Sequence, residues 1–272
     1  MTSSLRQWEE VYLMKLSTIL NNEKRQAWFG FCLKAFFVLV LYLILWQLLS
    51  ELTNKELIVP PPLGTFKRFF QLAGTSAFYL KCSLSLLRIL IGFSIGLFAG
   101  TVLAIASLAF KPLGTALFPA ISVIKATPVM SFIVILYFWS KSAHIPIIVA
   151  ALMTIPFAWF SVRKAIAAVD MQLLEMAQIF QVHRQKIWRR IYFPSVSQFL
   201  SAQIPSALGI AWKSGIAAEV LSNTRPSIGG ALYESKIYLE ITDTFAWTIT
   251  VVLLSLLLEH AVSRFFRGKG EL

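Results

Sequence analysis

The chain reads as an all-α membrane protein with six transmembrane helices and both termini in the cytoplasm, and three observations predict it. Of its 272 residues, 57% are hydrophobic and only 14% are charged, far from the balance of a soluble domain. The apolar residues collect into runs of roughly 18 to 23, the length that crosses a bilayer as a helix. Lys and Arg fall unevenly between those runs. With the N-terminus inside, fourteen of the 25 lie on inside segments or at the end of the last span, seven lie outside and four lie within spans. That bias sets the orientation.

In chain order, residues 1–26 form a polar cytoplasmic lead in which Trp8, Val11, Tyr12, Met14, Leu16 and Ile19 suggest a weakly amphipathic helix at the membrane surface, the alternative being a disordered tail. Residues 27–49 are the first span. It is too long for a signal-peptide core and has no convincing cleavage site, so it reads as a retained anchor. Residues 50–86 are an external connector. Pro60, Pro61 and Pro62 break any helix leaving the membrane, and Phe66, Phe69, Phe70 and Leu72 are placed to lie along the bilayer surface.

Residues 87–265 hold the other five spans. Leu87–Ala109 carries Gly92, Gly96 and Gly100 in register, a row that lets another helix approach closely. Leu117–Trp139 is interrupted by Pro128 and carries Lys125. Ile145–Val162 contains Pro146 and Pro156. Ala202–Leu221 is rich in small residues, with Ala207, Ala211 and Gly215 in one row and Ser214 and Ala218 in another. Ser222–Asp243 reads as a connector bearing Gly and Ser, Thr244–Phe265 as the sixth span, and 266–272 as a cytoplasmic tail.

One polar stretch, residues 170–194, separates the fourth and fifth spans. Asp170 suits an N-cap, with Val169 and Leu174 placed as a hydrophobic staple. Leu173, Met176, Ala177 and Phe180 then recur at helical spacing. His183 and Arg184 begin a second short helix with Ile187, Trp188 and Ile191 on one side, which Pro194 is expected to stop. The result is a cytoplasmic knob with an apolar top and a basic rim, suited to docking a soluble partner. The simpler alternative is a solvated loop whose charge sets topology.

Other classes find little support. The net charge of +12 flanks apolar spans and makes no continuous basic face for nucleic acid. Cys32 and Cys82 are too sparse for a disulfide framework or metal site. The sequence has no phosphate-binding G-x-x-x-x-G-K-[ST] loop and no H-E-x-x-H or G-x-S-x-G motif. His144, His183 and His260 fall on separate segments and read as structural. The chain is therefore not expected to be catalytic or to bind a metal.

The 170–194 stretch resembles the Glu-Ala-Ala loop of the permease subunits of binding-protein-dependent ABC importers. Glu175 and Ala177 match its first and third positions, and Ile191 and Pro194 match its end at the right spacing. Met176 replaces the middle alanine, Gln181 the glycine and Phe193 the leucine. The glycine permits a turn with positive φ, which glutamine adopts only at a cost. Downstream, Ala211–Leu221, Ser227–Leu239 and Phe245–Glu259 resemble the nitrate/sulfonate/taurine-type permeases, a group that includes carriers of thiamine-like precursors.

That resemblance implies a type I ABC importer permease fold in a bacterial inner or plasma membrane. It implies a coupling loop that uses Glu175, Met176, Ala177, Phe180, Gln181, Ile191 and Pro194. It further implies two cytoplasmic ATPase subunits, which hold the ATP and Mg that this chain does not, an external or periplasmic solute-binding protein, and a second permease copy in a homodimer. The alternatives are a self-contained secondary transporter or channel and, further off, an intramembrane enzyme.

For the pathway, Lys213 stands out near the middle of the fifth span, where a charge costs about 2.5–3.5 kcal/mol on insertion scales. Such a residue faces a bundle interior or a water-filled cavity; the alternative for Lys213 is a purely structural contact, with a backbone carbonyl or a partner on another helix. Lys125 is a second candidate, and Glu219 is the acidic one. Lys213 and Glu219 are six residues apart, about 120° out of line on a helix, so they do not pair within it.

Overall fold

The computed structural model describes residues 33–34, 36–53 and 58–267, and every regular element among them is helical. The expected amphipathic lead at 1–26 and the tail from 268 lie outside the described residues. The chain divides into two units, 1–64 and 65–272.

The first unit contains helix α1 (Phe36–Thr53), an apolar helix none of which is buried. Its C-terminal half holds the following strand of chain. Trp46 donates its indole N–H to the carbonyl of Pro60 at 3.1 Å, and Ser50 donates to the carbonyl of Val59 at 2.9 Å. Helix α2 (Pro62–Ala73) starts within the proline run, as proline is well tolerated in a first helical turn.

The second unit is built on α3 (Ser76–Ala109), α4 (Lys111–Ala126), α5 (Val129–Tyr137), α6 (Ile145–Ala167), α7 (Met171–Ile179), α8 (Arg184–Ile187), α9 (Phe193–Leu221), α10 (Ile228–Ile237) and α11 (Ile241–Arg267). Several elements exceed their sequence expectation. Helix α3 begins eleven residues before Leu87, because Thr75 caps it by accepting the Phe78 N–H at 3.3 Å. Its 34 residues extend about 51 Å, well past a hydrocarbon core of about 30 Å. The expected connector 222–243 contains α10, which starts where Ser227 accepts the Gly230 N–H at 2.7 Å.

Among the described residues, four helices, α1, α3, α6 and α11, are long and apolar enough to cross a membrane. A fifth crossing arises if α4 and α5 form one span, broken by a 97° bend. The bend follows Pro128, whose ring leaves the preceding residue in extended backbone (Thr127 φ −75°, ψ 131°). Helix α9 has the length, at 29 residues, but its Gln, Ser, Gly, Lys and Glu make it less apolar.

The core forms where α3, α6 and α9 meet. A side chain at Gly92, Gly96 or Gly100 would strike the backbone of α6 at Ile147, Ala151 and Ile155 respectively. The residue numbers rise together, so α3 and α6 run parallel, with backbones close enough that only glycine fits. Helix α9 runs against both. Ile89 fills the space beside Gly215, and Ala218 packs with Ile145 and Val149. Ala207 and Ala211 are buried with Leu208 and Trp212 in the core shared with α3 and α11. The glycine and small-residue rows, expected to serve close packing, are thus spent inside one subunit and do not supply a surface for a second copy.

Helix α11 returns parallel to α3. Phe78 stacks on Trp247 with ring centroids 5.2 Å apart, and Trp212 donates to the Val251 carbonyl at 3.1 Å. The directions of α3, α6 and α11 place the 168–192 loop at the same end of the bundle as the C-terminal ends of α3 and α11. Helix α10 and the start of α3 lie at the other end.

Candidate functional site: a docking loop and a lysine-bearing groove

The loop forms as its local chemistry dictates. The Asp170 side chain accepts the Gln172 N–H at 2.9 Å and starts α7. Of the expected stripe only Ala177 is buried, while Leu173, Met176 and Phe180 are exposed, as are Met171 and Ile179. The helix therefore presents an uncovered apolar top, with the Glu175 carboxylate exposed beside it. Phe180 caps α7, and Gln181 follows at φ 48°. The Gln181 N–H bonds the Gln178 carbonyl at 3.0 Å and the Val182 N–H bonds the Ala177 carbonyl at 2.9 Å. These are the two bonds of a Schellman cap. Gln181 thus makes the left-handed turn that the family motif assigns to glycine.

His183 then caps α8 by accepting the Gln185 N–H at 3.4 Å. Pro194 does not stop this helix. Residues 188–192 widen into a π-turn, in which the Phe193 N–H reaches the Trp188 carbonyl, and the chain runs on into α9. An extra residue in the turn opens the ladder where a proline ring would otherwise meet the carbonyl four residues back. Ile191 is half-buried and Pro194 exposed. The loop is thereby tied through continuous helix to the transmembrane bundle. Ser195 adds a bond to the Ala165 carbonyl at 3.1 Å, joining the two ends of the loop.

Glu219 lies where α3, α9 and α10 meet. It is fully buried. Ser85 donates to it at 2.7 Å, the Gly229 N–H donates at 3.1 Å, and the Arg88 guanidinium sits 3.5 Å away. Ser85 in turn accepts the Ile228 N–H at 2.9 Å, and Arg88 donates to the Pro226 carbonyl at 2.9 Å. The carboxylate meets the N-terminus of α10, where the helix dipole favours negative charge. Its contacts make the residue that the sequence offers as the acidic pathway candidate a latch between α3, α9 and α10. The cue in the sequence was Arg88, a second charge within a span.

Lys213 is exposed on α9 and has no ion pair among the described residues. Phe199, Gln203, Ser206, Ile210, Lys213 and Ala217 recur every three or four residues on α9, and none of them is buried. The outward faces elsewhere differ. On α3 they are Leu87, Ile91, Ile95, Phe98 and Val102, and at mid-α11 they are Val252, Leu253, Leu256 and Leu257. Those two faces suit lipid. The α9 face, carrying a lysine at mid-span, suits water or a protein partner.

Beside that face runs a groove of about 410 Å³ between α4, α6 and α9. Lys125 lies on one wall with its ammonium 5.0 Å from the Phe160 ring, and Lys164 on another, 6.0 Å from the Phe199 ring. Ser161, Gln203, Met153 and Phe157 complete much of the lining, and among the described residues no carboxylate enters it. The sequence singled out Lys125. Lys164 and Gln203 went unnoticed because three helices distant in the chain converge to make the groove.

The comparisons with known proteins agree with this architecture. The profile of the family described as "Binding-protein-dependent transport system inner membrane component" matches residues 92–267. A curated relative, the putative aliphatic sulfonates transport permease protein SsuC of Bacillus subtilis (strain 168), is 20% identical over 243 residues, covering 89% of this chain and 86% of its own. Among solved structures, a chain of the inward-facing MetNI methionine ABC transporter in its CY5 native crystal form superposes with a TM-score of 0.55 at 17% identity, over 68% of this chain and 91% of that one. The SeMet-soaked form gives 0.54 at 15%, with the same coverage. At such identities these structures speak for the fold alone. With the family profile covering well over half of its length, the chain belongs to the inner-membrane components of binding-protein-dependent ABC importers.

Proposed function

We propose that this chain is the pathway-forming subunit of an ABC importer for a small anionic or polar solute. An external binding protein delivers the solute, and two separate ATPases bound at the 170–194 loop drive the cycle. In this reading the chain is not itself catalytic and holds neither ATP nor Mg. The observation that carries it is the uncovered apolar top of α7, held at a fixed angle by the Gln181 cap and joined through that turn to the continuous helix running from α8 into α9. A force applied at Met176 or Phe180 is transmitted through the π-turn into the helix that carries Lys213.

The N-terminus and loop face the cytoplasm, α9 serves as the fifth of six crossings, and a second copy, most simply in a homodimer, packs on the lysine-bearing α9 face to enclose the pathway. That face supports a dimer because its charge needs water or protein around it. The sulfonate relative supports an anionic solute.

The test is co-expression of the permease with its ATPase, followed by purification on a tag carried by the permease. The expected result is an ATPase retained by the wild type and lost on Glu175→Arg, with both permeases inserted. Retention by the variant equal to the wild type would remove the loop from the interface.

A further inference from the structure

We propose that the groove between α4, α6 and α9 is a solute subsite for an organic anion with a short apolar body. Lys125 and Lys164 take the anionic head, and Phe157 and Phe160 take the body; this rests on the proposed transport function. Three features argue for it. Among the described residues the groove holds two ammonium groups and no carboxylate, so its charge complements an anion. Both lysines lie against aromatic rings, at 5.0 and 6.0 Å. These contacts hold the cations weakly, at about 0.5–1 kcal/mol each where exposed, and leave their N–H donors available to an oxyanion. Met153, Pro156, Phe157 and Phe160 form a continuous apolar wall on α6, so a purely inorganic anion would leave most of the lining unused. The volume of about 410 Å³ falls at the small-ligand end of the usual range of about 300–1,000 Å³. Pro156 and Ser161 are buried, which fixes the wall within the α6 packing. A lipid headgroup shares the anionic chemistry, and the test separates the two sources.

The experiment uses the permease–ATPase complex with its binding protein in phosphatidylcholine vesicles, with and without phosphatidylglycerol. Uptake of butanesulfonate and ethanesulfonate is measured, and saturation-transfer NMR reports their binding to the permease–ATPase complex without binding protein. A double variant, Lys125→Met with Lys164→Met, is expected to lose uptake turnover at least about tenfold, since each lysine removed takes a charged hydrogen bond with it. Binding-protein affinity stays unchanged, and Lys125→Arg with Lys164→Arg restores turnover. Phe157→Ala is expected to slow butanesulfonate more than ethanesulfonate. Wild-type turnover in the double Met variant overturns the proposal. So does a defect that appears only with phosphatidylglycerol and is equal for every solute, which marks a headgroup site. If the wild type moves neither sulfonate, the proposed import of an anionic solute fails for this class of anion, and the NMR measurement still decides the groove: no transfer signal overturns it. If the double variant fails to assemble, butanol replaces butanesulfonate on the wild type, and equal saturation by the neutral alcohol shows that the lysines contribute nothing.

Discussion

The Val182 amide reaches 2.9 Å back to the Ala177 carbonyl, closing a helix cap around a glutamine at φ 48°. The same two-bond cap recurs around Asn223 at φ 47° and Leu239 at φ 58°. The described glycines are not used for turns of this kind, since none has positive φ. Several of them lie instead at helix crossings. The left-handed conformation costs a non-glycine residue about 1–2 kcal/mol, and here the bonds of the cap hold it in place.

Gln181→Gly is therefore expected to be tolerated. Strain relief of about 1–2 kcal/mol opposes an unfolded-state entropy cost of about 0.4–1 kcal/mol. Gln181→Val puts a β-branched residue at positive φ and is expected to lower both melting temperature and uptake. Thermal scanning of the purified complex with an uptake assay checks both, and a valine variant as stable as the wild type would show that the turn is not required.

Gly96→Ala is expected to be disruptive although the change is one methyl group. The new Cβ would lie 2.5 Å from the Ala151 carbonyl oxygen and 2.7 Å from Thr154 Cβ, and backbone cannot yield as a flexible side chain would. The cost is about 1–3 kcal/mol or more, as for other overpacked cores. Yield of monodisperse protein from membranes is the measurement, with Gly74→Ala as a control at a site of ordinary contact distance.

Glu219→Ala is expected to cost about 3–5 kcal/mol, because it leaves Arg88 and two donors facing a buried void. Glu219→Gln keeps one acceptor and is expected to retain part of that stability. Thermal denaturation of the two variants side by side is the check, and equal melting temperatures would deny the latch.

At the end of the bundle occupied by α10, Arg68 pairs with Asp243 through two bonds of 2.6 and 2.8 Å. That hydrogen bond raises the guanidinium's pKa further above its ordinary value. The arginine side chain is 41% exposed, so solvent screening limits the pair to about 1 kcal/mol or less. A double-mutant cycle with Arg68→Gln and Asp243→Asn is expected to give a coupling of that size, falling at high salt.

Much of this was legible in the chain. The apolar runs located most of the membrane-spanning helices, the glycine spacing on α3 announced a close helix crossing, and Asp170 marked the start of the loop. Long-range pairing was not legible. Ser85 and Glu219 are separated by 134 positions, and nothing local to either names the other. Helix α10 was hidden because it lacks an amphipathic period and is started by a lone Ser227. Pro194 misled because its effect depends on the turn before it: in a regular α-turn it would break the helix, while after a π-turn it continues one. The groove escaped notice because it is assembled from one lysine on α4, another on α6 and a glutamine on α9.

The central claim is that ATP hydrolysis at a separate subunit reaches the pathway through α7. Ala177 is the buried point of that helix, at 7% exposure, so Ala177→Trp displaces the apolar top without changing its charge. The direct measurement is ATP hydrolysis and solute uptake recorded together in vesicles holding the permease, its ATPase and its binding protein. The account predicts that the wild type shows uptake strictly dependent on ATP, and that Ala177→Trp loses uptake together with the stimulation of hydrolysis by loaded binding protein. Solute uptake by the wild type without ATP, or full ATP-driven uptake by Ala177→Trp, would contradict it.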